Sequence, residues 1–489
     1  MDIKVSHIER AAYAWIYSSI FIFLIGFLKW YISVPVSLVT AFALYLVYRK
    51  GRENQDTLHV EKAVLIIGAV IAVCWMLLCG QGGVMTQGAD WAGRDAQLKD
   101  LINYSWPVYY SDGSAFTYYI GHFLVPSVFG KMFGLGAARA CLFVYTAIAV
   151  YITWLNIIKI LKADTVLKQL AVLLLLMLFG NTEALRQIVN NLIVGVFGTS
   201  SSYVPYGFTP NNNAYAWTFN QVCCAFLVLS VIFEDDARIE NFALLGVPMV
   251  LYSPFMLIGV FVLAAAAVAK QVFKHKNDIL SVVKRIFSVQ NLCVLIALLP
   301  ILLIYLSGNI FAEKPDELGL SAVSYSGRIS VYIIFVLFEF MLYSICVFPR
   351  FKRNIYFYAA NLLLMTILFF SMGKYNDLVT RTSSVGLFVL MLMTGDFLVN
   401  EKKCGFLRTR KAALCVILSI AAVPVANSWL DSVKDFSSRV ASGNYSSTWV
   451  ETYNTCEGLG DKEGLSFFKY QFYTHDAKEH LFFKYLAKK

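Results

Sequence analysis

Apolar stretches of about 20 residues recur along this chain, and that length is what an α-helix needs to cross a bilayer. They are separated by short loops, many of them rich in Lys and Arg. Only 15% of the residues are charged and 58% are hydrophobic. A water-soluble globular chain carries about a quarter charged residues, so most of this surface faces something other than water. In lipid every backbone amide must be satisfied internally, which leaves helices or closed barrels. The run lengths select helices. The expected fold class is an all-α polytopic membrane protein with about 11–13 transmembrane helices. The formal charge of +10 fits Lys and Arg retained on cytoplasmic loops; no nucleic-acid partner is expected. Ten cysteines lie mostly in apolar runs, where they act as small hydrophobes. No Cys/His spacing of the zinc type occurs, so no metal is expected.

Loop charge orients the spans. The segment carrying Lys4 and Arg10 is assigned to the cytoplasm, followed by a helical pair, 11–29 and 31–48, and a basic loop through Lys62. The span 63–79 then runs outward and delivers a polar window, residues 88–110, to the external side. Residues 116–133 are apolar but short and broken by Gly121 and Pro126. If they spanned, the lysines at 159, 162 and 168 would fall outside. They are therefore read as an interfacial helix on the outer surface. The spans 138–160 and 170–179 follow, then an external stretch, 180–215, containing Glu183 and Arg186. Run 242–269 is too long for one span and is interrupted at Ser253-Pro254, so it is read as two short helices. Residues 373–384 form a second external polar cluster, and the last span is 412–428. Three parts result: 1–62, the helical pair and basic loop; 63–428, the membrane domain with its first external loop at 80–137; and 429–489, a small extracytoplasmic segment.

The window 88–110 carries Asp90, Arg94, Asp95, Lys99 and Asp100, then Trp106, Tyr109 and Tyr110. Parity brings it, the 180–215 stretch and the 373–384 cluster to one external face. A cleft of that make-up suits an amphipathic ligand, a lipid-linked phosphate with a polar head. Arg94, Arg186 and Arg381 are candidates for the phosphate, since a guanidinium offers paired hydrogen bonds. Asp90 is a candidate general base toward an acceptor hydroxyl. Trp106, Tyr109, Tyr118 and Tyr119 are candidates to stack on sugar or sit among headgroups. Asn376 and Asp377 either meet substrate or cap the following helix. Glu339, inside an apolar run, is a further functional candidate because desolvating a carboxylate is costly. His122 is read as structural or headgroup-facing.

On these pieces, Asp90-Trp-Ala-Gly-Arg-Asp-Ala-Gln-Leu-Lys-Asp-Leu-Ile, Trp106-Pro-Val-Tyr-Tyr, Tyr118-Tyr-Ile-Gly and Tyr375-Asn-Asp-Leu-Val-Thr-Arg-Thr-Ser, the chain from about Ala63 to the tail resembles the GT-C class of integral-membrane glycosyltransferases, within a poorly characterised bacterial group. The resemblance implies transfer of a sugar from a polyprenyl-phosphate donor to an extracytoplasmic glycan or lipid acceptor of the cell envelope. The setting would be the cytoplasmic membrane, with no cofactor. It also implies that the first acidic residue of the first external loop, Asp90, acts as base. The common Asp-Glu pair is not present: Trp91 follows Asp90 and the next acid is Asp95, which leaves Asp95 as the alternative base. Two other functions fit the same clusters: an envelope polysaccharide polymerase or ligase, and a lipid-linked glycan flippase or other transporter. A transporter should carry charge through its whole depth. Here the charge gathers at one side, apart from Glu339.

Overall fold

The computed structural model describes residues 1–51, 56–88, 90–180, 207–234, 238–310, 319–326, 329–373, 376–400, 405–443, 455–456, 458, 472–474 and 476–488. Among them, eight helices are long and apolar enough to cross a membrane, and five shorter apolar helices accompany them. The protein is an all-α, multi-pass bundle. Its only strands among the described residues are two- and three-residue pairs that fasten loops.

A short strand β1 (Asp2–Lys4) leads into α1 (Val5–Phe27) and α2 (Trp30–Gly51). β1 pairs antiparallel with β2 (Thr57–His59). α3 (Lys62–Leu78) rises to the polar window. That window begins as α4 (Asp90–Asn103) and is followed by β3 (Ala115–Phe116) and α5 (Gly121–Phe133). Then come α6 (Leu135–Ile160), α7 (Val166–Leu178), the short α8 (Asn211–Trp217) and α9 (Phe219–Glu234). Trp75 and Trp429 both donate their indole N–H to Asn212 Oδ1, at 2.9 and 3.0 Å. One buried amide thereby holds α8 against two helices far apart in sequence.

The interruption of run 242–269 falls at the Ser253-Pro254 dipeptide. α10 (Ile239–Tyr252) ends there and α11 (Pro254–Lys274) begins. Proline has no N–H to lose and a φ already suited to the first helical position. Ser253 Oγ accepts from Met256 N, capping α11, and donates to Gln221 Oε1 at 3.0 Å. Tyr252 Oη donates to Ile16 O at 2.9 Å, and Thr382 Oγ1 to Phe255 O at 2.8 Å. Ser253 thus caps the new helix, and the Tyr252 and Thr382 hydroxyls pin the break to α1 and to a later helix.

A short helix, α12 (Ile279–Ile286), precedes α13 (289–310), which carries a π-helical stretch at Val294–Leu298. α14 (Ile329–Phe351) carries a second one at Leu337–Met341, around the buried Glu339. α15 (Ile355–Phe369), α16 (Asp377–Asn400) and α17 (Gly405–Ala441) complete the bundle. The basic turns after α2, α6, α11 and α14 gather at one end, which we call the basic end. Glu240 ties it together, accepting from Lys50 Nζ at 2.8 Å and Arg285 Nη2 at 2.7 Å. α4 lies at the other end.

Two expectations need correction. Residues 116–133 do not lie along the surface. Only 121–133 is helical, and its first turns are packed inside the bundle. His122 is fully buried, with its ring centroid 5.6 Å from Trp15, near the middle of α1, and 5.3 Å from Tyr145 of α6. Its Nε2 lies 2.9 Å from Thr146 Oγ1. The chain dips between α1 and α6 and returns to Gly134, so the parity of the later spans is unchanged. Interlocking rings stabilise this depth, as burial of apolar area does generally. The second correction concerns residues 373–384. The helix starts at Asp377 rather than near Gly386, so most of that polar cluster occupies the first turns of α16.

The C-terminal segment is woven into the same end as α4. α17 continues to Ala441, past the boundary drawn at 428. β4 (Tyr473–Thr474) pairs antiparallel with β3, Phe482 stacks on Phe23, and Ala487 bridges Leu28. Asp100 anchors the connection: its Oδ2 accepts from Tyr110 Oη at 2.5 Å and from Cys456 N at 3.0 Å. Hydrogen bonds to a charged group contribute about 1.5–3 kcal/mol each. Asp100→Leu should therefore loosen the tail, seen as at least tenfold faster proteolysis beyond Ala441 with the helical core intact. Phe467-Phe468 lie outside the described residues.

Candidate functional site

α4 begins at Asp90, and its 3.6-residue period decides which of its charges act together. Asp90 is exposed and Arg94, four residues on, shares its face. Arg94 is buried, with its guanidinium carbon 5.9 Å from the centroid of the Tyr118 ring. Burial opposes its charge, but Tyr118, Asp90 and Asp377 together outweigh that and raise its pKa above the usual arginine value. Arg94 therefore lies within electrostatic reach of both an exposed carboxylate on its own helix and a carboxylate about 280 residues away in sequence.

Tyr118 and Tyr119 stack with ring centroids 4.1 Å apart. Tyr118 N donates to Tyr305 Oη at 3.3 Å, and Phe472 of the tail meets the Tyr118 ring at 4.5 Å. Burial pushes the Tyr118 phenol up, Arg94 and Arg381 pull it down, and Asp377 pushes it up. Tyr119 feels the same three charges. The tyrosine pair thus sits between the α4 cluster and the start of α16.

On α16, Arg381 Nη2 donates to Asp377 Oδ1 at 3.0 Å, one helical turn apart. Asp377 Oδ2 abuts Gly373, whose φ of +84° is in the left-handed region; a Cβ there would come within 2.5 Å of that oxygen. Asn376, also left-handed at φ +50°, turns its side chain inward. Its Oδ1 accepts from Met372 N and Val379 N, at 3.3 and 3.4 Å. Of the two roles open to Asn376, the structure shows the cap. The Nε atoms of Arg94 and Arg381 are buried without a hydrogen-bond partner among the described residues.

The other predicted residues lie apart. Asp95 faces the opposite side of α4, is buried, and has Oδ2 4.0 Å from Arg139 Nη2. Trp106 packs against Phe27 at 5.5 Å, donates Nε1–H to Leu101 O at 2.8 Å and carries Lys131 over its ring. That is a packing role. Tyr109 is half-exposed against Phe483. Arg186, Lys374 and Tyr375 lie outside the described residues. Two amides passed over by the sequence reading, Gln97 and Asn220, are fully buried, with neither side-chain polar atom partnered among the described residues. Gln97 follows Arg94 by three positions, so helical period could have grouped it with Asp90 and Arg94. Asn220 follows Phe219, which stacks on Trp91 at 4.7 Å; nothing in the sequence signals that.

Desolvation raises the Asp95 carboxyl to about 6, although Arg139 and Lys99 oppose it. A carboxyl raised on folding favours the folded state in acid, and that advantage is lost as pH rises from the unfolded value of 3.8 through about 6. Asp95→Asn should therefore be more thermostable than wild type above pH 6, and the gap should close toward pH 4. Melting curves of both proteins from pH 4 to 8 check this; a gap that widens in acid would contradict it.

The arrangement can place a carboxylate, two guanidiniums and two stacked phenols around one polar ligand. Among the described residues no group of three or more His, Cys, Asp or Glu is arranged to hold a metal ion. Set against models of known protein families, curated proteins and solved structures, the chain matches none.

Proposed function

We propose that the chain is a glycosyltransferase of GT-C type, moving a sugar from a polyprenyl-phosphate donor to a cell-envelope glycan or lipid acceptor. One observation carries the reading. Arg94 and Arg381, from distant parts of the chain, approach the stacked Tyr118–Tyr119 pair at the end of the bundle away from the basic turns, with the exposed Asp90 beside them. If basic loops face the cytoplasm, this site faces out of the cytoplasmic membrane, where lipid-linked sugars meet envelope acceptors.

Each group then has a chemical role. The acceptor hydroxyl oxygen attacks the anomeric carbon, and the bond from that carbon to the phosphate oxygen breaks. Asp90 takes the hydroxyl proton as general base. Arg94 and Arg381 hold the phosphate as it leaves with the bonding electron pair, a charge that grows in the transition state. The tyrosines flank the sugar face. Asp90 is preferred to Asp95 because Asp95 is buried beside Arg139 on the other face of α4. Asp377 orients Arg381 through their ion pair.

The test is a transfer assay on the purified protein in lipid vesicles, with radiolabelled polyprenyl-monophosphate sugars and envelope glycan or glycolipid acceptors. Turnover supports the reading. Movement of the lipid-linked sugar between leaflets without transfer would replace it with a transporter. Activity only with diphosphate-linked oligosaccharides would point to a polymerase or ligase.

A further inference from the structure

At the basic end, away from the site above, the chain turns off the helix axis between α11 and α13. His275, at φ −113° and ψ 39°, ends α11, and Ser288, extended at φ −59° and ψ 156°, separates α12 from α13. Asp278 Oδ1 accepts from Ser281 N at 3.2 Å and caps α12. One side of this helix is fixed to the protein. Val282 is buried, Arg285 holds Glu240, and Ser288 Oγ donates to Glu240 O at 2.6 Å. The other side is apolar and bare. Ile279, Leu280, Val283 and Phe287, the last just past the helix end, are between 39% and 64% exposed. Spacings of three and four positions put them in one stripe. Phe273 in the last turn of α11 and Val289 at the start of α13 are also exposed and extend the apolar surface at both ends. Lys274 and Lys276 before the helix and Lys284 on its flank are exposed beside the stripe. Asp278, at the cap, is the one acid between Lys274 and Val289.

We infer that α12 is a docking surface for anionic lipid, lying in the headgroup layer at the basic end with its stripe toward the acyl chains. Its place in the chain favours a lipid surface over a soluble partner. α11 and α13 belong to segments long and apolar enough to cross a membrane. Four residues separate α12 from α11 and two separate it from α13, so the helix is held at the water boundary. Water would leave the stripe solvated, whereas the acyl boundary covers it. The Arg285–Glu240 pair sets the roll of the helix, so the stripe cannot turn toward the bundle. An amphipathic helix of this kind binds by burying its apolar face and by attraction to anionic lipid. The lysines supply the second part: a cation near the surface is drawn to an anionic leaflet and not to a zwitterionic one. Their long stems can lie along the stripe while the ammonium groups reach the phosphates.

Amide hydrogen–deuterium exchange of the full chain in nanodiscs tests this. Phosphatidylcholine alone is compared with a mixture containing about 30% phosphatidylglycerol. The α12 amides of wild type should exchange about fivefold more slowly in the mixture. Lys274→Gln/Lys276→Gln/Lys284→Gln should exchange at one rate in both bilayers; all three side chains are exposed, so the fold should persist. Leu280→Ser/Phe287→Ser should exchange faster than wild type in both bilayers, with the α13 amides unchanged as the check on folding. Lys434→Gln, which removes an exposed cation on α17 at the other end of the bundle, should behave as wild type. Equal rates for wild type in the two bilayers overturn the inference, and so does an undiminished difference in the triple lysine variant. Wild-type rates in the Leu280/Phe287 variant would show that the stripe does not meet lipid. An equal loss in Lys434→Gln would replace the docking surface with diffuse charge attraction.

Discussion

Asp90→Asn is expected to lower the initial rate of sugar transfer at least 100-fold, with donor binding changed little. A positioned general base contributes about 10²–10⁴-fold to a rate, and an amide cannot accept the proton. The exchange keeps size and polarity, so the first turn of α4 should persist. Asp95→Asn serves as the partner measurement. Asp95 sits behind α4 against Arg139, so its loss should leave transfer within about threefold of wild type. Single-turnover rates of both variants with saturating donor distinguish the two acids. If Asp95→Asn were silent and Asp90→Asn fully active, neither acid would be the base. If Asp95→Asn alone lost the rate, the assignment would reverse.

The pairing of Asp90 with Arg94 was legible because both lie in one polar window and four residues separate them. The approach of Asp377 and Arg381 to that window followed from parity: counting spans between basic loops brings both clusters to one end. What parity cannot supply is direction. Asp90 and Asp95 look alike as sequence, and only the helical period of α4 together with the position of Arg139 separates them. Asn376 and Asp377 are adjacent polar residues before a span, yet one is consumed by backbone amides and the other pairs with Arg381. That division depends on the left-handed turn at Asn376 and on Gly373, which no periodicity encodes.

The fold shows the same contrast. Apolar runs define spans because transfer of side chains from water is a local property, summed over about 20 residues. The Ser253-Pro254 break is equally local, since proline removes a backbone donor wherever it stands. The depth of α5 is not local. A 13-residue helix with Gly and Pro has the composition of a surface helix. It is buried because Trp15, Tyr145 and Tyr252 form a socket for its first turn, and those residues are spread over more than 230 positions. The tail was similarly opaque: Tyr473 and Thr474 are unremarkable until β3 is known to lie beside them.

That socket yields the second large effect. A Cβ built on Gly121 would lie 2.8–2.9 Å from three carbons of the Tyr252 ring. The ring has nowhere to go. Its hydroxyl donates to Ile16 O at 2.9 Å, and its face stacks near Trp15 with centroids 5.6 Å apart. Forcing extra carbon into a packed core costs about 1–3 kcal/mol, occasionally more. Gly136, in the first turn of α6, has no atom within 4 Å of its Cβ position. Helix propensity alone would make Gly→Ala favourable by about 0.5–1 kcal/mol at an exposed interior site. The two alanine substitutions should therefore differ in sign: Gly121→Ala lowers the melting temperature, whereas Gly136→Ala leaves it unchanged or raises it. Gly121→Val, with two more methyl groups in the socket, should abolish most of the folded yield. Tyr118 and Tyr119 lie immediately before this turn, so whatever Gly121→Ala protein folds should also transfer sugar with a raised KM for the donor. Melting by intrinsic tryptophan fluorescence in one detergent orders the variants. Equal stability of Gly121→Ala and wild type would mean that α5 does not sit in the Tyr252 socket, and the approach of the tyrosine pair to Arg94 and Asp377 would lose its support.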